Sequence, residues 1–434
     1  MIIFKLKDLK DGGFLQIGTA NAGSGDPTSL LAETSFKAIV IKPAFRLNIF
    51  GFLASKELLT EPTNTGRTVG NLGFWDLRLA LEWTHKNISY FSGNPSNITI
   101  GGYSAGAHAA FYQLAYDMES PPEKRIVKRI IMHSQGPGVQ PRSLEEVQLQ
   151  FDELLEVLNI PQSLSSKEKL RRLRAMSTRT LLAAIPMRKM RYHQFRAVTD
   201  GVFVRNTLFK DIITGDFARR MLESNICLLT GECSDEHFVY GRYRAPADDY
   251  NSVVTRLVAD YPKKNVGALA KHYFPGEKLP QEHKRWKEAF GKVYADVQIH
   301  ATQRGFVDGI IRGGAGKLVH RYRIEWRSKL ADRSWPREWG ATHGADQIIW
   351  FWGNGRELDD GEKAIIKDAF IEQFAAFIKG DAVEWGTDDP HRVRRLSADG
   401  TVDICRDEFR DEKLKVWHAL QDATFKPFEP KASL

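Results

Sequence analysis

Ile98-Thr99-Ile100 meets the pentapeptide Gly102-Tyr103-Ser104-Ala105-Gly106, which passes directly into Ala107-His108-Ala109-Ala110-Phe111. The first run favours a strand and the last a helix. A chain that goes from one to the other in so few residues must turn sharply. Glycines on either side of the serine permit the turn, and such a turn holds the hydroxyl out at its tip. The pentapeptide alone is common. Its strand-turn-helix setting is what makes Ser104 a candidate nucleophile.

The same alternation runs along the chain. Ala38-Ile39-Val40-Ile41 and Ile130-Ile131-Met132 are short continuous apolar runs, the pattern of strands buried on both faces. Between the first of these and Ile98, the segment Leu72–Asn87 reads as a helix, with Leu77, Leu79, Ala80, Leu81 and Trp83 as its apolar positions. Strand signals resume at 226–229, at 319–326 and near 348–350. This rhythm predicts an α/β protein with a mostly parallel central sheet. From about 139 to 199 the pattern turns helical. Ser143 with Glu146 and Ser165 with Glu168 form capping boxes, the second opening a helix over 169–185. That stretch, and a polar, aromatic-rich one from about 240 to 300, read as insertions over the sheet. A long amphipathic helix is expected over 361–379, ended by Gly380. With no internal repeat and no linker, residues 1–434 read as a single domain.

Composition excludes several classes. Hydrophobic content of 42% and charged content of 27% fit a packed globular chain. The net charge of +8 is spread among acids, so it reads as a solvated basic surface. One stretch interleaves Arg188, Lys189, Arg191, Tyr192, His193, Phe195 and Arg196. No zinc-finger spacing or RNA-binding segment accompanies it, so a surface loop running into a strand is expected, and no nucleic-acid partner. Cys227, Cys233 and Cys405 are no disulfide framework. A Cys227–Cys233 bridge is the alternative to free thiols, which the apolar strand between them favours. No His/Cys cluster has metal-ligand spacing. Gly313-Gly314-Ala315-Gly316-Lys317 fails as a phosphate loop, because Ile311 and Leu318 stand where glycine and a hydroxyl belong. No metal or cofactor is implied. Residues 1–10 lack a signal-peptide pattern, and no apolar run reaches membrane-spanning length. The chain as it stands reads as cytoplasmic. The triplets at Asn87 and Asn97 that match a glycosylation acceptor are weak evidence of export. Oligomeric state stays open.

A serine hydroxyl needs a base beside it and an acid to orient that base. In strand-turn-helix hydrolases the chain order is serine, then acid, then histidine. Glu236 follows the strand at 226–229 through a short loop, where catalytic residues of α/β proteins sit. Glu232 and Asp235 compete with it. His343, in Gly340-Ala341-Thr342-His343-Gly344-Ala345-Asp346, is the base candidate. His237 and His108 are its rivals, though His108, four residues into the helix, would face away from the hydroxyl. The Ala105 amide and the Gly12-Gly13 turn are candidate donors to a developing oxyanion.

At this point the chain resembles the type-B carboxylesterases of the α/β-hydrolase fold, a family that includes cholinesterases and fungal esterases and lipases. The densest likeness runs from Asn71-Leu72-Gly73-Phe74-Trp75-Asp76-Leu77-Arg78 through Phe91-Ser92-Gly93-Asn94-Pro95 to the Ser104 turn. Arg46 to Phe52, the 131–136 segment and Asp200-Gly201 add to it. The resemblance implies Ser104 as nucleophile, Glu236 as acid, His343 as base, and Gly12, Gly13 and Ala105 as oxyanion donors. It implies a small-molecule ester as substrate. Phe14, Trp75 and Tyr103 are expected to line or support the pocket.

Three departures stand out. Tyr103 replaces the family's usual glutamate before the serine. Asn94 replaces an aspartate, so its contact with Arg78 is reduced at best to a hydrogen bond. Asp11 stands where the oxyanion loop usually begins with histidine, and only eleven residues precede Gly12. By that resemblance the N-terminal strands are missing, and secretion stays open if the true start lies further upstream. The reading is a serine carboxylic-ester hydrolase. Its rival is a non-catalytic or inactive, truncated binding protein on the same fold.

Overall fold

The computed structural model describes residues 1–4, 13–20, 25–61, 70–387, 389 and 391–425. Among these, β1 (Ile2–Phe4), β2 (Ile98–Tyr103) and β3 (Val127–His133) open a central sheet. A separate parallel pair, β4 (Arg142–Ser143) and β5 (Val198–Thr199), brackets the first insertion. The central sheet continues with β6 (Cys227–Cys233), β7 (Val319–Ile324), β8 (Arg392–Leu396) and β9 (Val402–Arg406). Its spatial order is β1-β2-β3-β6-β7-β8-β9. Every neighbouring pair is parallel except β8 with β9. The expected mostly parallel sheet is therefore present, and the chain's first residues supply one of its strands.

The continuous apolar runs follow from burial on both faces. Successive strand side chains point to opposite sides. Ile130 and Leu228 enter one core with Leu77, Phe111 and Trp417. Their neighbours Ile131 and Leu229 enter the other with Tyr322, Trp350 and Phe374. A third core lies among the helices Tyr250–Asp260, Lys263–Tyr273 and Trp286–Ala295 of the second insertion, with Phe14 packed against it. In the first insertion the capping box of Ser143 and Glu146 opens the helix Leu144–Val157.

Several expectations change. Of the 38–41 run only Ile41 bridges Ile2, and Ile39 is exposed, so no strand forms there. The apolar run near 348–350 is the short helix Asp346–Trp350, since periodicity cannot separate a buried strand from a buried helical turn. The helix expected over 169–185 is two helices, Ser166–Ala175 and Thr178–Ala184, because Ser177 caps a new start. The basic stretch is a loop, but Tyr192, His193, Gln194 and Phe195 are buried in it. Residues 360–379 are helical throughout, with one wider turn in the middle. All three cysteines are free, and Cys227 and Cys233 sit at opposite ends of β6, beyond bridging reach.

The helix Leu72–Asn87 forms over the expected residues. Its buried Arg78 does not use Asn94, whose Oδ1 accepts the Ser96 N–H instead. Arg78 pairs with the fully buried Asp117 at 2.7 Å and with Glu82 at 2.7 Å. Asp117 also accepts the N–H groups of Ile126 and Val127, tying the helix Ala105–Glu119 to the start of β3. Removing the carboxylate would leave the buried Arg78 only the half-exposed Glu82 and strand two backbone donors. Asp117→Ala is expected to lower unfolding free energy by about 3–5 kcal/mol, as for other broken buried pairs, in urea denaturation.

Candidate active site

Ser104 stands between the end of β2 and the helix Ala105–Glu119, with φ 54° and ψ −125°. A serine seldom adopts that backbone shape, and it persists only where its surroundings impose it. The imposition is visible. The Ser104 N–H donates to the His133 carbonyl at 2.9 Å, and the Ser104 carbonyl accepts the His108 N–H at 3.0 Å. A Cβ on Gly102 would lie 2.2 Å from the backbone carbon of Gly106. The first glycine of the pentapeptide is thus required where the chain folds back on itself.

The strands then set the partners. Glu236 follows β6 and His343 follows β7. Their loops are zipped together: the Asp235 N–H donates to the Ala341 carbonyl at 3.1 Å, and the Thr342 hydroxyl donates to the Asp235 carbonyl at 3.0 Å. This pairing delivers His343 to both of its neighbours. Its Nε2 lies 2.9 Å from Ser104 Oγ, and its Nδ1 lies 2.5 Å from Glu236 Oε2. Glu236 and His343 are fully buried. A carboxylate only accepts, so Nδ1 carries the proton and Nε2 presents its lone pair to the serine. The second oxygen of Glu236 accepts the Cys233 N–H at 2.8 Å.

Two tyrosines hold the imidazole from either side. The Tyr103 ring lies 4.8 Å from it and the Tyr240 ring 4.9 Å. The Tyr240 hydroxyl also reaches Nε2, at 3.1 Å, and so shares that lone pair with Ser104. Phe14 packs its ring 6.1 Å from Tyr240 and 5.9 Å from Tyr294, at the edge of the site. Trp75 is elsewhere. Its ring lies edge-on to Tyr116 and Phe203 and supports helix packing rather than the pocket.

The rival residues have other engagements. Glu232 pairs with His300 at 2.7 Å and Arg304 at 2.7 Å. Burial alone would raise its pKa, but Arg304 above all, with the His300 hydrogen bond, holds it well below the usual carboxylate range. Asp235 accepts the Ser234 hydroxyl at 2.6 Å. The His108 ring packs against Tyr112, where burial lowers its pKa to about 3. His237 lies against Phe238, and burial and Lys292 lower it to about 4.

The oxyanion donors divide. Gly12 lies outside the described residues, as does Asp11. Gly13 has φ 106°, and its N–H is taken by the Ile17 carbonyl at 2.8 Å. The expectation of a free Gly13 donor is therefore not met in this conformation, because the turn closes on itself. Ala105 is the first residue of its helix, where an N–H has no intrahelical acceptor and the helix dipole favours negative charge.

Asp346 is a member of the site that spacing alone did not single out. It lies three residues after His343, so the signal was an acid close behind the candidate base. Fully buried, it accepts from the hydroxyls of Ser134 and Tyr322, each at 3.1 Å, while Tyr322 also meets His133 Nδ1 at 2.8 Å. Burial, then the charge of Glu236, push its carboxyl up to about 7, against the pull of His343 and the two hydroxyls. A carboxyl with a raised native pKa contributes stability that is full below its unfolded value and is lost as pH rises through the native one. For Asp346 that window runs from about 3.8 to about 7. Asp346→Asn is expected to flatten the fall in stability across that window, read from denaturant midpoints at a series of pH values.

Comparison with known proteins follows the same lines. Residues 11–422 match the model of the carboxylesterase family. The chain is 46% identical over 412 residues to a carboxylic ester hydrolase of Gibberella moniliformis, covering 94% of this chain and 75% of that protein. It is 39% identical over 417 residues to an uncharacterized esterase/lipase of Schizosaccharomyces pombe, covering 93% and 75%. The crystal structure of Aspergillus niger EstA superposes with a TM-score of 0.71 at 21% identity, covering 98% of this chain and 80% of that one.

Proposed function

The chain belongs to the carboxylesterase family, with the α/β-hydrolase fold and the chemistry of a carboxylic ester hydrolase, and from that premise we propose that it cleaves esters through an acyl-enzyme on Ser104. The observation that carries this reading is the unbroken hydrogen-bond order Ser104 Oγ, His343 Nε2, His343 Nδ1, Glu236 Oε2.

In the first half of the reaction His343 Nε2 takes the hydroxyl proton as Ser104 Oγ attacks the ester carbonyl. The imidazolium so formed is stabilised by the Glu236 carboxylate, which stays ionised and holds the ring in the competent tautomer. The carbonyl oxygen becomes an oxyanion beside the Ala105 N–H at the positive end of its helix. Collapse expels the alcohol, which receives the proton from Nε2. Water then attacks the acyl carbonyl and gives a proton to the same nitrogen; collapse breaks the Ser104 Oγ–acyl bond, Nε2 returns that proton to Oγ, and the acid leaves. Every step uses side chains already in contact, and none needs a cofactor.

The Tyr240 hydroxyl has a place in this sequence. While Nε2 is neutral it donates there in competition with Ser104. When Nε2 is protonated it can accept instead, so it stays satisfied in both states of the ring.

Ser104→Ala is expected to lower kcat on 4-nitrophenyl butyrate by about a million-fold, and Glu236→Gln by about ten-thousand-fold, the losses known for removal of a nucleophile and for a misplaced tautomer. Steady-state kinetics on the purified variants check both. Wild-type rates from folded Ser104→Ala would remove Ser104 from the mechanism.

A further inference from the structure

Beside the site lies an open cavity of ≈ 900 Å³, lined by Gln16, Phe45, Leu182 and Met187 together with Arg244 and Arg256. Its walls are largely apolar, and three arginines, Arg46 being the third, stand in them. Two rings, Phe14 and Tyr240, separate the cavity from His343. Phe14 touches Tyr240 on one side, at 6.1 Å between centroids, and carries the Arg244 guanidinium over its face at 5.5 Å on the other. The connection also runs along the chain. The short helix His237–Arg242 begins next to Glu236, brings Tyr240 to His343, and delivers Arg244 to the cavity just past its end.

The charges of this region do not balance. Asp260 is fully buried and serves two arginines, Arg256 and Arg196, the latter at 2.7 Å. Arg142, also buried, spends its guanidinium on the carbonyls of Val258 and Tyr261. Glu146, the other acid near Arg142, caps its own helix through the Ser143 N–H at 2.9 Å. Arg46, at the cavity's far side, is matched by Asp76 at 2.8 Å. Arg244 has no carboxylate partner among the described residues. His193 adds no positive charge at neutral pH, since burial and Arg256 lower its pKa to about 4. Four guanidinium groups therefore share one dedicated carboxylate; Arg142 and Arg256 are buried, whereas Arg244 is exposed and can meet an anion entering from solvent.

Arg244 itself is held out of ordinary shape. Its φ is 58°, a left-handed conformation that non-glycine residues seldom take, and its carbonyl is pinned by the Arg256 Nε at 3.2 Å. The position keeps a cation over Phe14, at the cavity's triad end.

We propose that the triad end of this cavity receives the carboxylate-bearing end of an ester substrate, with Arg244 as its direct partner and Phe14 flanking the chain between carboxylate and ester. The proposal rests on the esterase reading above and names its substrate class: esters that carry a second, ionised carboxyl group. Arginine suits the task because its planar fork matches a carboxylate with two parallel donors.

The test compares 4-nitrophenyl hydrogen octanedioate with its methyl ester, equal in length and differing in one charge. Wild-type protein is expected to favour the anionic ester in kcat/KM. In Arg244→Gln the anionic-to-neutral ratio should fall about tenfold, the scale of one charge-assisted hydrogen bond. Arg244→Lys should keep part of the preference, and Arg219→Gln, on a distant exposed helix, should leave the ratio as it was. A second arm needs no turnover. Octanedioate should raise the melting temperature of Ser104→Ala and not that of Ser104→Ala/Arg244→Gln. Turnover of both esters with no anionic preference, or with a preference indifferent to Arg244→Gln, overturns the carboxylate site and leaves the esterase reading intact. Arg244-dependent stabilisation without turnover of either ester by wild-type protein keeps the site and overturns the esterase reading.

Discussion

The turn at Ser104 is a backbone conformation that the residue would not hold alone, and the architecture around it is arranged to hold it. β2 ends there and a fifteen-residue helix begins there. The strand is paired on both sides, by β1 and β3, so its end cannot drift. The helix is buried along most of its length and anchored at its far end by Asp117. With both flanking elements fixed, the residue between them must bridge the gap in whatever shape fits. The local strain, of order 1–3 kcal/mol, is small against the burial that imposes it. What results is a hydroxyl with little freedom to move, aimed at one point above the sheet.

The second constraint is the zipping of two loops. Glu236 and His343 are more than a hundred residues apart, yet Asp235 and Thr342 bridge as if their strands ran on past the sheet. Because β6 and β7 are parallel neighbours, their carboxyl ends emerge side by side, and one backbone bridge sets the distance between acid and base. Burying both groups removes competing water, so the Glu236–His343 contact is short and its direction is set. Tyr103 and Tyr240 then prevent the ring from swinging away. Asp346, behind the pair, would add repulsion if it were fully ionised. Its raised pKa relieves that conflict, against the pull of its two hydroxyl donors.

Which parts were legible in sequence follows from how local each constraint is. The β2-turn-helix unit was legible because its glycines and its period change lie within a dozen residues. Leu72–Asn87 was legible as a helix but its inner face only in part: Leu77 and Leu81 are buried, whereas Leu79 and Trp83 are exposed. Glu236 and His343 were legible through chain order and their place after strands, with the family likeness making them specific. The short helix Asp346–Trp350 was not, because five buried apolar-rich residues carry no usable period. The partner of Arg78 was not, because Asp117 lies on another helix, and only the fold shows that the two side chains meet. Least legible was the arginine group around Asp260. Arg142, Arg196, Arg244 and Arg256 come from two separate insertions, and nothing in their spacing says that they converge.

The proposed reaction requires a covalent intermediate, an acyl group on Ser104 during turnover. The direct measurement is rapid acid quench of wild-type protein with a slowly deacylating nitrophenyl ester, followed by peptide mass analysis. The account predicts a burst of nitrophenol equal to the protein concentration and the acyl mass on the peptide carrying Ser104. A burst-free time course, or the acyl mass on another residue such as Ser134, would contradict it.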